Sequence, residues 1–562
     1  MKQWPLPLMG LLIAAGLTAA PPDKSTLSTP DLTPIAPQVP AADRHQPNRV
    51  FLERADVLKV DPDEPNVQIL VGGVTFRRGD MFMYCDSARF YTDPSLPADS
   101  MEAFGNIRME QGDTLFLYGD EMEYSGMEQR ATVYGIDRDV RLINRDVTLT
   151  SPVIHYAMGI NLGYYDQGGT LTDPQNTLSS LEGEYAPPTK EANFYGRVRL
   201  TGISDKGDTI NVRTDTLLYN TDTRIAELPV FSRIIGQKGD IITTNGLFNT
   251  AANTTTLLDR SLVHTTDGHT LTGDSIVFDR TTGIGEAFGS MVLTDSARSV
   301  RLEGDYGYFN QQIDSAYATG RARAMEYSKP DTLYLHGREI RTFLTPDSLR
   351  LMVANPEVRF WRIDLQGVCD SMTFVQQDST LYMNGDPIVW NENRQIFGNV
   401  IQVHLNDSTV DRVELPDFAF VAEEIEDEFY NQMSGKTMIA DFEDGDIKRL
   451  QLNGSVQAIM LPEENDSTYN KIVSLESSYL DAYFANRDIE RAHMWPETTG
   501  TVTPIYLARR SQLYLPKFRW ETEIRPNGPD DIFPRTNPAT QIISTTEEEI
   551  QPEKDEETTE SD

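Results

Sequence analysis

The side chains able to do chemistry are seven histidines, two cysteines and an excess of acids, 86 Asp and Glu against 49 Lys and Arg. His45, His155, His264, His269, His336, His404 and His493 are scattered, and only His264 and His269 stand close together. Asp267-Gly268 between them is hairpin chemistry, so a turn is expected there rather than a zinc pair. Cys85 and Cys369 each sit in Cys-Asp-Ser. They lie about nine repeat lengths apart, beyond disulfide reach, and read as small buried apolar residues. There is no Gly-x-Ser-x-Gly, phosphate loop or dinucleotide fingerprint. Carboxylate pairs occur everywhere in so acidic a chain and mark no acid–base centre. The pattern points to no enzyme, no metal site and no cofactor. A net charge of −37 repels phosphates and argues against nucleic-acid partners.

One acid does recur at a fixed place. Asp is followed four residues later by an aromatic at Asp86/Phe90, Asp120/Tyr124, Asp215/Tyr219, Asp274/Phe278, Asp305/Phe309 and Asp370/Phe374. With blurred copies between, successive anchors stand roughly 29 to 34 residues apart, the mark of a repeat array. Two readings of this Asp are open: a corner residue bonding backbone amides, or a calcium ladder. Calcium repeats use Gly-Gly-x-Gly-x-Asp at a much shorter period, which favours the corner.

The elements that position it are strands. Around Asp120, Leu115 and Leu117 alternate with polar neighbours, the parity slips at Gly119-Asp120, and Met122 and Tyr124 carry on. This predicts one half-buried strand bent at a corner. A second feature reads as a small-residue turn followed by a strand: Gly73-Val74, Gly105-Asn106-Ile107, Gly196-Arg197-Val198, Gly289-Ser290-Met291 and Gly454-Ser455-Val456. Each unit, about two bent strands with turns, cannot bury its apolar face alone, so neighbours must stack on it. The fold class expected is all-β: an elongated antiparallel β-jellyroll, solenoid-like, with a repeat of about 31 residues and open along one side.

The domain reading follows. Residues 1–20, with Lys2, an apolar run and Thr18-Ala19-Ala20, read as a signal peptide; the run is short for a membrane span. Residues 21–48 read as a flexible linker. Clean repeats fill 49–344 and degenerate ones 345–410. A C-terminal β region occupies 411–524, in which 421–432 reads as a short helix or acidic loop. Its last apolar segment, Pro504 to Trp520, reads as a cap over an open sheet edge. Residues 525–562 read as a disordered acidic tail.

If the open side does not seal, the inward positions line an apolar trough: Phe76, Phe90, Ile107, Met109, Leu115, Leu117, Met122, Tyr124, Val198, Leu200, Leu217, Tyr219, Ile276, Phe278, Met291 and Leu293. Such a trough binds acyl chains at about 0.8 kcal/mol per methylene. The alternative is that these side chains pack on one another. The text of 105–124, Gly-Asn-Ile-x-Met through Gly-Asp-Thr-Leu-x-Leu-x-Gly-Asp-x-Met-x-Tyr, with echoes at 207–219 and 269–278, resembles the OstA-like (organic solvent tolerance) family. These are relatives of the periplasmic lipopolysaccharide transport protein A. The resemblance implies a jellyroll whose interior carries lipid A acyl chains across the periplasm. It also implies edge-strand joining with other jellyroll transport proteins. The chain is several times longer than a minimal bridge of that family, and it lacks room for the membrane barrel of the larger outer-membrane member. The reading is thus an exported, non-enzymatic lipid bridge, periplasmic or outer-membrane associated. A structural or adhesive scaffold with a packed interior is the alternative. A carbohydrate-active enzyme on a β-solenoid would need acids gathered at one spot, and here they are spread evenly.

Overall fold

The computed structural model describes residues 50–534, apart from 61–63, 93–97, 407–409, 427, 444–445, 465–467 and 486–487. The expected signal peptide and linker and residues 535–562 of the expected tail lie outside the described residues.

Antiparallel strands make up about two thirds of the described residues, and all of them belong to one connected pairing network. The network is two ladders hinged along a line. Long strands such as Met81–Tyr91, Ser100–Gln111, Leu115–Ser125, Glu191–Ile203, Ile284–Asp295 and Asp446–Met460 cross the hinge and belong to both ladders. Between them the strands are short and alternate. After Leu115–Ser125, the first wall continues through Arg130–Tyr134, Val153–Ala157 and Leu162–Tyr165. The second continues through Val140–Asn144, Val147–Ser151 and Gly169–Thr172. Each wall has more than two dozen rungs, which at about 4.8 Å per rung makes it roughly 100 Å or more in length. The pairing runs unbroken past residues 344 and 410: Glu339–Leu344 pairs with Arg350–Asn355, and Val400–Leu405 with Val410–Leu415.

Leu115–Ser125 is the bent strand its parity predicts, with Leu115, Leu117, Met122 and Tyr124 all inward. The Gly-x-Val segments are strand, as their pattern reads. The turn expected ahead of each is absent, because one strand runs through from before the glycine. At Gly105-Asn106 two residues oppose one, and the register shifts between Phe104 and Ile107. Both bulge residues are left-handed, Gly105 at φ 80° and Asn106 at φ 49°. Gly72-Gly73, Gly196-Arg197, Gly289-Ser290, Gly320-Arg321, Gly385-Asp386 and Gly454-Ser455 repeat the pair. A left-handed pair swings the chain from one wall to the other; the strand continues through it except at Gly320-Arg321 and Gly385-Asp386, where one strand ends and the next begins.

The segment at 421–432 is neither helix nor loop. Ala419–Glu426 and Phe429–Gly435 pair as a hairpin. Val421 faces the interior while Phe420 and Ala422 are buried on the opposite face, so no polar face marks the period. Residues 505–534 contain no strand. They run back over the outer face of the second wall rather than over an edge. Residues 525–534, expected to belong to the tail, lie in this strap, with Ile532 fully buried.

Candidate functional site: the interior and its rim

Inward residues of the two walls form one apolar cluster that extends from Val50 to Ala482. All of the predicted lining residues belong to it: Phe76, Phe90, Ile107, Met109, Leu115, Leu117, Met122, Tyr124, Val198, Leu200, Leu217, Tyr219, Ile276, Phe278, Met291 and Leu293. Alternation places them there, one side chain in two facing inward from each wall. Their exposure runs only from 0% to 8%. The space bounded by Met81, Met109, Leu115, Leu117, Leu142 and Tyr156 is about 10 Å³, room for about one water. The interior is therefore filled by its own side chains. Cys85 and Cys369 lie in the same cluster as free thiols, and burial pushes both up to about 12.

The recurring Asp does two things at the corners. Asp120 accepts the backbone N–H of Ile136 and Asp137 at 2.8 and 3.1 Å, which hold its carboxyl below the usual range. Elsewhere it packs against the corner glycine. A Cβ at Gly105, Gly289 or Gly385 would meet Asp86, Asp274 or Asp370 at 2.5 Å or less. Asp274 and Asp305 also donate their own N–H to the carbonyls of Gly289 and Gly320. The aspartate fills the notch that the glycine leaves, and amide capping is confined to Asp120 among the aspartates at these corners.

Opposite the corners no strand ladder joins the walls among the described residues, so the jellyroll is open there apart from a backbone bond from Asp205 N–H to the Ala251 carbonyl at 3.1 Å. Side chains bridge it. The Tyr219 hydroxyl, from the first wall, donates to Asp173 Oδ2 of the second at 2.6 Å and accepts from Asn176 Nδ2 at 2.9 Å. Asn144 Nδ2 donates to the Tyr185 hydroxyl at 2.9 Å. Asn253 and Thr281 reach Asp208 at 3.1 and 2.5 Å, and Gln311 reaches Asp267 at 2.7 Å. Towards the N-terminal end, Arg78 donates to Gln129 at 3.0 Å. Burial first, then the Asp173 bond, raises the Tyr219 hydroxyl and keeps it a donor. Beside this seam is a cleft of about 550 Å³ whose lining includes Arg145, Lys190 and Arg224 alongside Asp146, Asp173 and Asp222.

The sequence reading missed the seam. Asn144, Asn176 and Asp208 lie on hairpin ends of the second wall, and Tyr185, Tyr219 and Asn253 answer from the first. Both sets step at the repeat length, which was the available signal. Three buried glutamines on the outer face, Gln366, Gln395 and Gln432, had no such signal.

His264 and His269 flank the expected hairpin, Ser261–Thr265 with His269–Gly273; His269 packs on Phe309 at 5.2 Å. No group of three or more His, Cys, Asp or Glu among the described residues is placed to hold a metal ion. No helix among them is long and apolar enough to cross a membrane.

Residues 47–205 match the family model described as OstA-like protein. Among curated proteins, none matches the chain.

Proposed function

We propose, taking residues 47–205 as an OstA-like segment, that the chain is a non-enzymatic lipid-binding bridge of the cell envelope. It is exported to the periplasm and carries lipopolysaccharide, with the acyl chains between the walls and the sugars outside. The observation that carries this reading is the uninterrupted apolar cluster shared by both walls over the whole array. Each methylene of an acyl chain buried along it contributes about 0.8 kcal/mol. The lipid-free interior is filled, so the lipid enters by separating the walls at the polar seam and displacing Met109, Met122 and their neighbours. Met side chains suit that exchange, being unbranched and adaptable. The acidic surface leaves binding to burial rather than to charge. Other jellyroll transport proteins join at the end strands of the ladders.

Photoreactive residues at Phe90, Met122 and Tyr219 test the reading. Crosslinks to lipopolysaccharide are expected from all three positions. Silence at all three, with no lipid found by mass spectrometry of the purified protein, removes the proposal.

The scaffold reading has its own support, the near-complete burial of the lining residues. It predicts that lipid is absent and that the walls never separate, so the same experiment distinguishes the two.

A further inference from the structure

The strap of residues 505–534 lies on the second wall's outer face without pairing as a strand. It is held there by glutamine side chains. Gln432 Nε2 donates to the Leu513 carbonyl at 2.7 Å, and its Oε1 accepts the Leu515 N–H at 2.8 Å. Gln395 repeats the arrangement two rungs away. Its Nε2 donates to the Arg519 carbonyl at 2.9 Å, and its Oε1 accepts the Glu521 N–H at 2.8 Å and the Trp390 Nε1–H at 2.9 Å. Both glutamines are fully buried. Each amide bonds the carbonyl of one residue and the N–H of the residue two further on, the pair that one residue of a parallel strand bonds. It thus grips a short stretch of backbone whatever its sequence. Sequence is read in between, where Leu515, Phe518 and Trp520 cover the buried Trp390, Phe397 and Phe420. Further on, Arg525 Nε donates to Gln366 Oε1 at 2.9 Å, and Phe533 lies beneath Arg321 at 4.5 Å.

We propose that this face is a docking groove for a peptide segment, and that its ligand is the chain's own residues 507–534, bound in cis as a separable strap. Three observations set the strap apart from the sheet it covers. It has no ladder bonds, its contacts are side-chain forks, aromatic anchors and the ion pairs of Arg519 with Asp386 and Asp530 with Arg323, and the link to it is exposed, Tyr506 at 84% and Leu507 at 62%. A groove built to grip backbone by amide forks is a receptor surface, and its ligand chemistry is leucine, phenylalanine and tryptophan anchors along an arginine-bearing segment. The proposal does not depend on the lipid reading.

The test uses the full chain with a specific protease site inserted between Tyr506 and Leu507. After cleavage the strap is expected to stay bound through gel filtration and to exchange for a fluorescent synthetic peptide of residues 507–534. A peptide carrying Phe518→Ala and Trp520→Ala is expected to compete at least about tenfold more weakly, and this variant leaves the protein's own fold untouched. Gln395→Ala with Gln432→Ala in the protein is expected to weaken the unaltered peptide to a similar degree. Failure to exchange while the walls stay folded makes the strap an integral element and overturns the proposal. Equal competition by the altered peptide overturns it too. Straps that pass between differently labelled uncut copies, with dimers formed, place the ligand in trans and overturn the cis assignment.

Discussion

At Gly105 the backbone sits at φ 80°, and a Cβ would stand 2.5 Å from Asp86 Oδ2. Gly105→Ala therefore meets left-handed strain and a clash together, and is expected to cost about 2–3 kcal/mol. Gly112 is the control. It has φ 61° with nothing within 4 Å of the added Cβ, so Gly112→Ala is expected to cost only the left-handed term, about 1–2 kcal/mol. Adding Asp86→Ala should recover some of the Gly105→Ala loss and none of the other, which urea denaturation of the single and double variants will show. Asp120 supports its corner by charge. Its carboxyl is held below the usual range by the amides of Ile136 and Asp137, so its contribution is present above the unfolded value of about 3.9 and fades as pH falls through the lower folded value. Asp120→Asn should lower the melting temperature at pH 7 and converge with the parent in strong acid. Cys85 and Cys369, pushed up to about 12 by burial, should not react with iodoacetamide at pH 8 until urea is added.

The seam is an element-scale device, and Tyr219 is its best handle. Its hydroxyl serves Asp173 and Asn176, which are 5% and 2% exposed. Tyr219→Phe keeps the ring in the core and strips two bonds from buried polar partners, an expected loss of about 1–3 kcal/mol. Faster amide exchange confined to the rim around residues 173–176 should accompany it. If the walls separate there for lipid, the same variant should also speed lipid uptake; unchanged exchange would mean the seam is not what holds the rims together. The ends of this logic were unequally legible. Alternation of Leu115, Leu117, Met122 and Tyr124 named the inner face correctly because period-two burial is written locally. The turn expected ahead of Gly105 is instead a bulge within one strand, because small residues serve a hairpin and a bulge alike and only the partner strand decides. Tyr219 with Asp173 joins residues from opposite walls, and Gln395 with Arg519 joins residues from distant stretches of the chain. A polar side chain facing its partner across a fold leaves no mark on its neighbours in sequence.

As a whole the molecule is close to one-dimensional, since each rung touches the next and little else apart from the wall across the interior. Stability in such an array is a sum of unit and nearest-neighbour terms, so damage should stay where it is made. Leu200 tests this. It is fully buried and pairs with Leu178 on one side and Val212 on the other. Leu200→Ala is expected to cost about 2–5 kcal/mol. In a single globular core that loss would lower the protection of every slow amide. Here hydrogen exchange should rise at rungs 176–180, 198–203 and 209–214, while amides near Leu302 and Leu452 keep the parent rates. Calorimetry should show the single transition broaden or split as the two flanks melt separately. Under the strap the outcome reverses. Gln395 and Gln432 tie separated rungs to one segment, so that stretch should melt as a block. A uniform loss of protection after Leu200→Ala would mean that the walls couple along their whole length. Local separation of the walls at the seam, which the proposed lipid entry requires, would then have to be given up.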